Sequence, residues 1–338
     1  MRLYFFIHYS NINNNSYNHI SCFSNELSLV KGFLPIIVLN SDSLLFFVKH
    51  NVLHISKRIF LALSSILPRN SILHFWTPRE YLLEYFDLIQ SKFKTVVHLE
   101  DNYRFLSKQS TNKCLSHSTT LHLIRAFDSV TVINQKLSDL YSDSVRSSFL
   151  LRAPTMHKKL STRNIKSVIL HLGTINQYNF RQIHEFIKTN RMEGVRFALV
   201  GKNFFPEAFR NLSFCDDYGF VKEKKLKEIL SSILLSFVPY LNPEFDQYRY
   251  PSKVPDLLAA GIPTLLPNYE YYQDIFDQFP ELSYRKSKHA QKPVDLTVVM
   301  SRANSSTYRN ELAQFAKEYF SNDDGFSDFV NTAIEKNI

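Results

Sequence analysis

Glycine is the first scarcity. Seven glycines in 338 residues exclude a collagen-like or Gly-rich low-complexity chain. Neither G-x-G-x-x-G nor G-x-x-x-x-G-K-[ST] occurs, so nicotinamide-dinucleotide and P-loop readings lack their phosphate-cradling fingerprints. Cysteine is scarce too. Cys22, Cys114 and Cys215 are odd in number and far apart, which argues against a disulfide framework or a zinc ribbon and fits reduced thiols in the cytoplasm. No apolar run approaches the ~20 residues that span a bilayer; Ile59 to Leu67 and Ile229 to Leu241 are the longest candidates. The apolar start, Leu3 to Ile7, is too short for a signal peptide and reads as a first strand, with Asn11, Asn13, Asn14 and Asn15 as a loop.

Two partner classes are also missing their marks. His50 and His54 stand four apart without the intervening glutamate of a metalloprotease helix, and His117 and His122 have no third ligand at fitting spacing, so no metal is expected. Basic residues do not interleave with aromatics in a stripe, so no nucleic acid partner is expected.

What remains is a globular composition: 44% hydrophobic, 21% charged, with 29 Phe and 18 Tyr for packed sheets. At about 150 residues per domain the length suggests two domains. Lysine and arginine number 40 against 31 acidic residues, a net charge of +9. The charge is dispersed. Its one cluster, Lys222, Lys224, Lys225 and Lys227 among Glu223 and Glu228, reads as a solvated helix face. The apolar runs Leu44 to Val48 and Ile59 to Leu67 read as core segments, and are compatible with docking on an anionic membrane face.

Apolar strands alternate with amphipathic segments. Strands are expected at Leu3–Ile7, Leu34–Leu39, Ser71–Trp76, Thr95–Leu99 and Ser129–Ile133, with helices over Pro78–Gln90 and Gln135–Tyr141. The rhythm restarts at Lys166–Leu172, Val195–Val200, Leu234–Val238 and Ile262–Leu266, with helices at Phe180–Thr189, Lys222–Ser231 and Pro255–Ala260, the last closed by Gly261. Strands alternating with helices predict mostly parallel sheets covered on both faces, an α/β fold. The boundary falls near Arg152 to Thr155.

Gly173 and Gly201 each stand where a strand hands over to a helix, the edge at which doubly wound sheets bind ligands. A glycine there lets backbone N–H groups approach a phosphate, and is equally at home in a plain turn. The densest chemistry lies in Tyr248-Arg249-Tyr250-Pro251-Ser252-Lys253-Val254-Pro255-Asp256, which joins a stiff loop, a hydroxyl, a cation and a carboxylate at a helix start. Ser252 and the amides after Pro251 could hold a phosphate, and Asp256 could accept from the hydroxyls of a ribose. The same residues would also serve as an ordinary capped helix.

Tyr248 to Thr264 resembles the nucleotide-sugar-binding region of GT-B glycosyltransferases, particularly the family 4 group, with its Y-P-S-K-x-x-E-[YA]-L-A-x-G-x-P-V pattern. Tyr218-Gly219-Phe220-Val221 and Ser236-Phe237-Val238-Pro239-Tyr240 resemble further stretches of the same family, as do strand Val168–Leu172 with Gly173-Thr174 and strand Phe197–Val200 with Gly201-Lys202. The likeness runs over about residues 166 to 275 and is thinner before, where Val96 to Asn102 resembles the family's v-H-[DE] strand end. Asp256 stands in place of a usual glutamate, Tyr248 in place of the other, and Thr174 in place of a usual arginine; Arg181 is the nearest cation to the missing K-G pair.

The resemblance implies two Rossmann-like domains facing across a cleft: an acceptor-binding domain over 1–151, a nucleotide-sugar-binding domain over 152–300, and helices over 301–338 crossing back to the first domain. It implies transfer of a sugar from a nucleotide-diphosphate donor to a glycan or lipid-linked acceptor in surface polysaccharide synthesis, retaining and metal-independent, with no cofactor beyond the donor itself. His98, Arg181 and Lys253 would carry catalysis. Gly173, Thr174, Gly201, Lys202, Tyr250, Pro251, Ser252 and Asp256 would hold the donor, and Glu100 and Asp101 would face the acceptor. The expected place is the cytoplasm, at the cytoplasmic membrane face. Two alternatives stay open: a non-catalytic partner subunit, favoured by Thr174 and Tyr248, and a nucleotide-sugar epimerase.

Overall fold

The computed structural model describes residues 2–8, 15–49, 51–100, 115–144, 147–150, 165–239, 253–284, 295–320, 329, 330 and 332, and within 15–19 the backbone alone. The chain forms two compact units. The described residues up to 150, with those at 329–332, make the first; those from 165 to 320 make the second.

The first unit is built on β1 (Arg2–His8), β2 (Phe33–Leu39), β3 (Phe46–Lys49), β4 (Val52–Ser56), β5 (Ile72–Trp76), β6 (Lys94–Leu99), β7 (Ser129–Val132) and β8 (Ser148–Leu150). They form one sheet in the order β3-β4-β2-β1-β5-β6-β7-β8. All neighbours are parallel except the β3–β4 pair. Near-continuous burial along β1, β2, β5 and β6 is what helices on both faces of a parallel sheet produce. The helices are α1 (Asn15–Leu29), α2 (Lys57–Leu63), α3 (Phe86–Ile89), α4 (His117–Ala126) and α5 (Gln135–Tyr141). α1 buries Ile20, Phe23 and Leu27, one stripe at helical spacing, against Tyr4, Phe6, Ile37 and Trp76. Phe329 and Val330 complete that core from the other end of the chain.

Two sequence expectations fail here. The helix expected over Pro78–Gln90 is a 3-10 segment, Glu80–Tyr85, running into the single turn of α3. Thr77 turns with φ 67° and Arg79 is extended at φ −128°, ψ 176°, so the helical path begins late. The apolar runs read as core are largely outside it. Leu44, Phe46 and Val48 are 70%, 68% and 66% exposed, because β3 is an antiparallel edge strand with one neighbour. In α2 only Phe60 is buried, and Leu63 and Ile66 face outward.

The second unit repeats the design with β9 (Val168–Leu172), β10 (Arg196–Val200), β11 (Cys215–Asp217), β12 (Leu235–Phe237), β13 (Thr264–Pro267) and β14 (Ser283–Tyr284). The order is β11-β10-β9-β12-β13-β14, parallel throughout. Its helices are α6 (Phe180–Thr189), α7 (Pro206–Arg210), α8 (Glu223–Leu230), α9 (Lys253–Ala259), α10 (Gln273–Gln278), α11 (Thr297–Ala303) and α12 (Ser306–Tyr319). Strand order reverses between β9 and β12, the switch point outside whose carboxyl ends open α/β sheets bind ligands. α8 is the solvated charged helix expected, with Lys227 to Glu223 at 2.6 Å and Lys225 to Glu228 at 3.3 Å. Tyr269, Tyr272, Phe276 and Phe279 are buried in this unit's own core.

Gly261 ends α9 with φ 74°, its N–H donating to the Leu258 carbonyl at 2.8 Å. A Cβ there would meet the Arg309 carbonyl at 2.9 Å. Arg309, 3% exposed, donates to the carbonyls of Ala303, Gly261, Ile233 and Leu234. It fastens α12 to the entry of β12, so α11 and α12 belong to the second unit. Of the tail expected to cross back, residues 329, 330 and 332 are the described ones that fall in the first unit. The expected boundary near 152 lies outside the described residues.

Candidate functional site

β9 carries the centre of the second unit's switch point. Gly173 follows the strand and Gly201 follows its neighbour β10. The two glycine backbones pack against each other so closely that a Cβ on Gly201 would collide with the Gly173 carbonyl. Gly201 also sits at φ 138°, a conformation L side chains rarely adopt. The loops beyond are zipped together: the Ile175 N–H donates to Lys202 and the Phe204 N–H to Ile175, at 2.8 and 3.0 Å. Asn179 braces the first loop. Its Oδ1 accepts from the Asn176 N–H and its amide donates to the Thr174 carbonyl, both at 2.8 Å. Thr174 and Lys202 are exposed on this rim, Lys202 lying 4.5 Å above the Phe204 ring.

Lys253, the first residue of α9, comes onto the same point. A Cβ on Gly173 would stand 2.9 Å from the Lys253 Nζ and 3.4 Å from the His171 Nε2. Any side chain there would collide with the ammonium, so only glycine lets Lys253 come this close to the strand end. Asp256 lies one turn along α9 and is half-buried. Arg181 is exposed in the first turn of α6. Tyr250, Pro251, Ser252 and Asp101, along with Tyr248, lie outside the described residues.

His171 is the member of this cluster that sequence reading missed. It is 5% exposed, and its ring packs 5.4 Å from Phe237, which is itself stacked on Phe186 at 4.1 Å. Neither ring nitrogen meets a partner in hydrogen-bond geometry. Burial, with the Lys253 ammonium nearby, pushes the ring down to about 3, the Phe237 backbone acting slightly the other way. At neutral pH the imidazole is uncharged. The available signal was a single histidine in an apolar strand, two residues before the strand-end glycine.

His98 occupies a different setting, in the first unit. It is 1% exposed, its Nδ1 lies 2.9 Å from the Thr131 hydroxyl, and its ring stacks on Trp76 at 4.0 Å. The same hydroxyl meets the His74 Nε2 at 3.2 Å, and the Tyr4 hydroxyl meets the His74 Nδ1 at 2.8 Å. Burial, with His98 beside it, holds His74 well below the usual histidine range, and burial raises Tyr4, so both are uncharged at neutral pH. Glu100 is half-buried, its Oε1 accepting from the Trp76 indole N–H at 2.7 Å.

Similarity to solved structures covers nearly the whole chain. HepE from Anabaena in complex with UDP-glucose superposes with a TM-score of 0.64 at 9% identity, over 99% of this chain and 98% of that one. The fold is that of the GT-B glycosyltransferases. The catalytic domain of starch synthase IV from Arabidopsis thaliana, bound to ADP and acarbose, gives 0.64 at 10% identity over 99% and 100%. A TarM variant from S. aureus, in complex with fondaparinux, alpha-GlcNAc-glycerol and UDP, gives 0.60 at 12%; 82% of this chain spans 58% of that longer GT-B chain. No family model matches the sequence, and no curated protein matches it. In this GT-B frame, His171, Gly173, Gly201 and Lys253 sit together at the switch point of the second Rossmann-like unit.

Proposed function

We propose that the protein is a glycosyltransferase that moves a sugar from a nucleotide-diphosphate sugar to a glycan or lipid-linked acceptor. One observation carries the reading: the Lys253 ammonium comes within 2.9 Å of where a Gly173 Cβ would stand, at the carboxyl edge of a parallel sheet where the Gly173 and Gly201 backbones touch. Open α/β sheets bind nucleotides at such an edge. The UDP- and ADP-bound neighbours support a nucleotide as the ligand. Transfer breaks the bond between the anomeric carbon and the diphosphate oxygen, which keeps the electron pair. The acceptor hydroxyl forms the new bond and gives up its proton. Charge grows on the departing diphosphate, and a fixed cation stabilises it without having to reorganise.

In this reading Lys253 faces the diphosphate, Gly173, Thr174, Gly201 and Lys202 line its approach, and Asp256 accepts from the ribose. Arg181 and the loop of Tyr250, Pro251 and Ser252 are assigned to the donor by the resemblance alone, as Asp101 is to the acceptor. His98, bonded to Thr131, and Glu100, bonded to Trp76, keep the catalytic and acceptor-side assignments that the resemblance gives them. The retaining outcome, independence of metal and a role in surface polysaccharide synthesis are carried over from the same resemblance. Peripheral contact with an anionic membrane face is supported by the exposed Leu44, Phe46, Val48 and Ile66 on a chain of net charge +9.

The test is thermal unfolding with UDP, GDP, ADP and CMP, on the wild type and on Lys253→Ala and Asp256→Ala. A nucleotide at 100 times its Kd stabilises by about 2.7 kcal/mol, a shift of a few degrees. One nucleotide shifting the wild type and neither variant is the expected result. No shift with any of them would turn the reading to the non-catalytic partner that Thr174 already favours.

A further inference from the structure

At the amino edge of the first sheet the chain turns into each parallel strand. Among the described residues, the entries to β4, β2, β5 and β6 each carry an exposed cation there: Lys49, Lys31, Arg69 and Lys92. β1 lies between β2 and β5 and begins at Arg2, whose N–H donates to the Gly32 carbonyl beside Lys31 at 2.6 Å. These five strands are neighbours about 4.8 Å apart, so the cations form one row about 20 Å long. The row stops at β7 and β8, which are entered through Asp128 and Asp143. Asp128 is half-buried and accepts from the Thr95 N–H and hydroxyl at 2.8 and 3.1 Å. Glu26, in α1, is half-buried, and Asp87, in α3, is exposed.

Basic residues often answer the dipole at a helix C-terminus, within its last turn. That does not account for this row. α1, α2 and α3 have no basic residue in the last turn, and Lys31, Arg69 and Lys92 stand beyond the helices. Large aliphatic side chains protrude among them. Leu29, two residues before Lys31, is 85% exposed, and Ile66, three before Arg69, is 76% exposed; Val48, next to Lys49, is exposed too. Cations interleaved with protruding aliphatics match a surface that is anionic outside and hydrocarbon beneath. They are not the aromatics on which nucleic acid bases stack.

We propose that the amino edge of the first sheet docks on a bilayer of anionic lipid, with Lys31, Lys49, Arg69 and Lys92 among the headgroups and Leu29 and Ile66 in the boundary below them. This rests on the peripheral-membrane reading above and narrows it. Val48 and Ile66 belong to the docking surface; Leu44 and Phe46, toward the other end of β3, do not. The carboxyl edge then stands one strand length, about 20 Å, from the headgroups. An acceptor reaches it at the end of a chain and not at the membrane surface.

The test is co-sedimentation of the full chain with vesicles of phosphatidylcholine alone or with about 30% phosphatidylglycerol, at low and high salt. One quadruple variant replaces Lys31, Lys49, Arg69 and Lys92 by Gln. A second replaces Lys222, Lys224, Lys225 and Lys227 of the α8 cluster by Gln, an equal loss of charge in the other unit. Wild type should pellet with the anionic vesicles and be released by salt. The first quadruple variant should bind at least about 100-fold more weakly, and the second within about threefold of wild type. Lys31→Gln and Arg69→Gln alone should each cost about fivefold, which keeps the test open should the quadruple variant fail to fold. Leu29→Ser with Ile66→Ser should cost about tenfold, and Leu44→Ser with Phe46→Ser nothing.

Equal losses in the two quadruple variants overturn the proposal, because net charge alone would then account for binding. So does a loss confined to Leu44→Ser with Phe46→Ser, which leaves membrane binding standing and moves it off this edge. If wild type pellets with neither vesicle, the membrane reading itself fails. If it is then retained by a duplex oligonucleotide, and the amino-edge variant is not, the surface belongs to nucleic acid and the proposal is equally overturned.

Discussion

The two sheets are built from similar strands and hold their central buried polar groups differently. In the first unit Tyr4, His74, Thr131 and His98 bond in series across the strands, and Trp76 donates to Glu100. In the second unit two glycine backbones touch at the carboxyl edge, and a lysine and a histidine crowd against Gly173. Buried histidines occur in both, His74 and His98 with partners and His171 without. A buried polar residue with its hydrogen bonds made is accounted for by the fold. One left without them costs the fold stability.

This contrast can be broken from either side. The largest effect belongs to Gly201→Ala. The added carbon collides with the Gly173 carbonyl, and we expect a loss of about 3–5 kcal/mol in urea unfolding together with the loss of nucleotide binding. Acid comes next. His171 is held at about 3 in the folded protein against about 6.5 when unfolded, so between those values the unfolded chain binds more protons. The stability this confers is present above the unfolded value and is lost as pH falls below it. At pH ~4.5 His171→Phe should have recovered about 2 kcal/mol relative to wild type in the unfolding of the second unit. Thr131→Val strips both His74 and His98 of a shared partner and should cost the first unit about 2 kcal/mol at pH ~7, leaving nucleotide binding by the second unit intact. Smallest is His171→Phe at pH ~7, within about 1 kcal/mol of wild type or slightly more stable, since an orphan polar group is exchanged for a ring of similar shape. If Thr131→Val proves as mild as that, the two edges are not as different as their hydrogen bonds indicate.

The strands were legible because each is a short apolar run stopped by a glycine, a proline or polar residues. β1, β2, β5, β6, β9 and β10 stand within a residue or two of where the runs place them. Strand-end glycines marked the site for the same reason: few other residues tolerate what Gly201 must do. α1 was hidden behind an asparagine-rich approach, although Ile20, Phe23 and Leu27 carry helical spacing. The exposure of Phe46 and Val48 could not be read from their apolar character, because it comes from β3 lying at the edge of the sheet. The roles of His98 and His171 divide on partners supplied by distant strands. Thr131 reaches His98 across 33 positions of sequence, and nothing local distinguishes a histidine that will meet such a hydroxyl from one that will not.

Arg309 sets a condition on the order in which the chain can be made. Its guanidinium closes the carbonyls of Ile233 and Leu234 from 76 and 75 positions further along. Burial drops it from its usual value to about 10, yet it remains charged at neutral pH, so an unfilled socket cannot be relieved by losing a proton. While the protein emerges from the ribosome, β12 has all its parallel neighbours' sequence nearby long before this cation arrives. The second unit must therefore wait, unfinished at its central strand, until almost the last residue of the unit has been synthesised. The first unit waits longer still, for Phe329 and Val330 to complete its core.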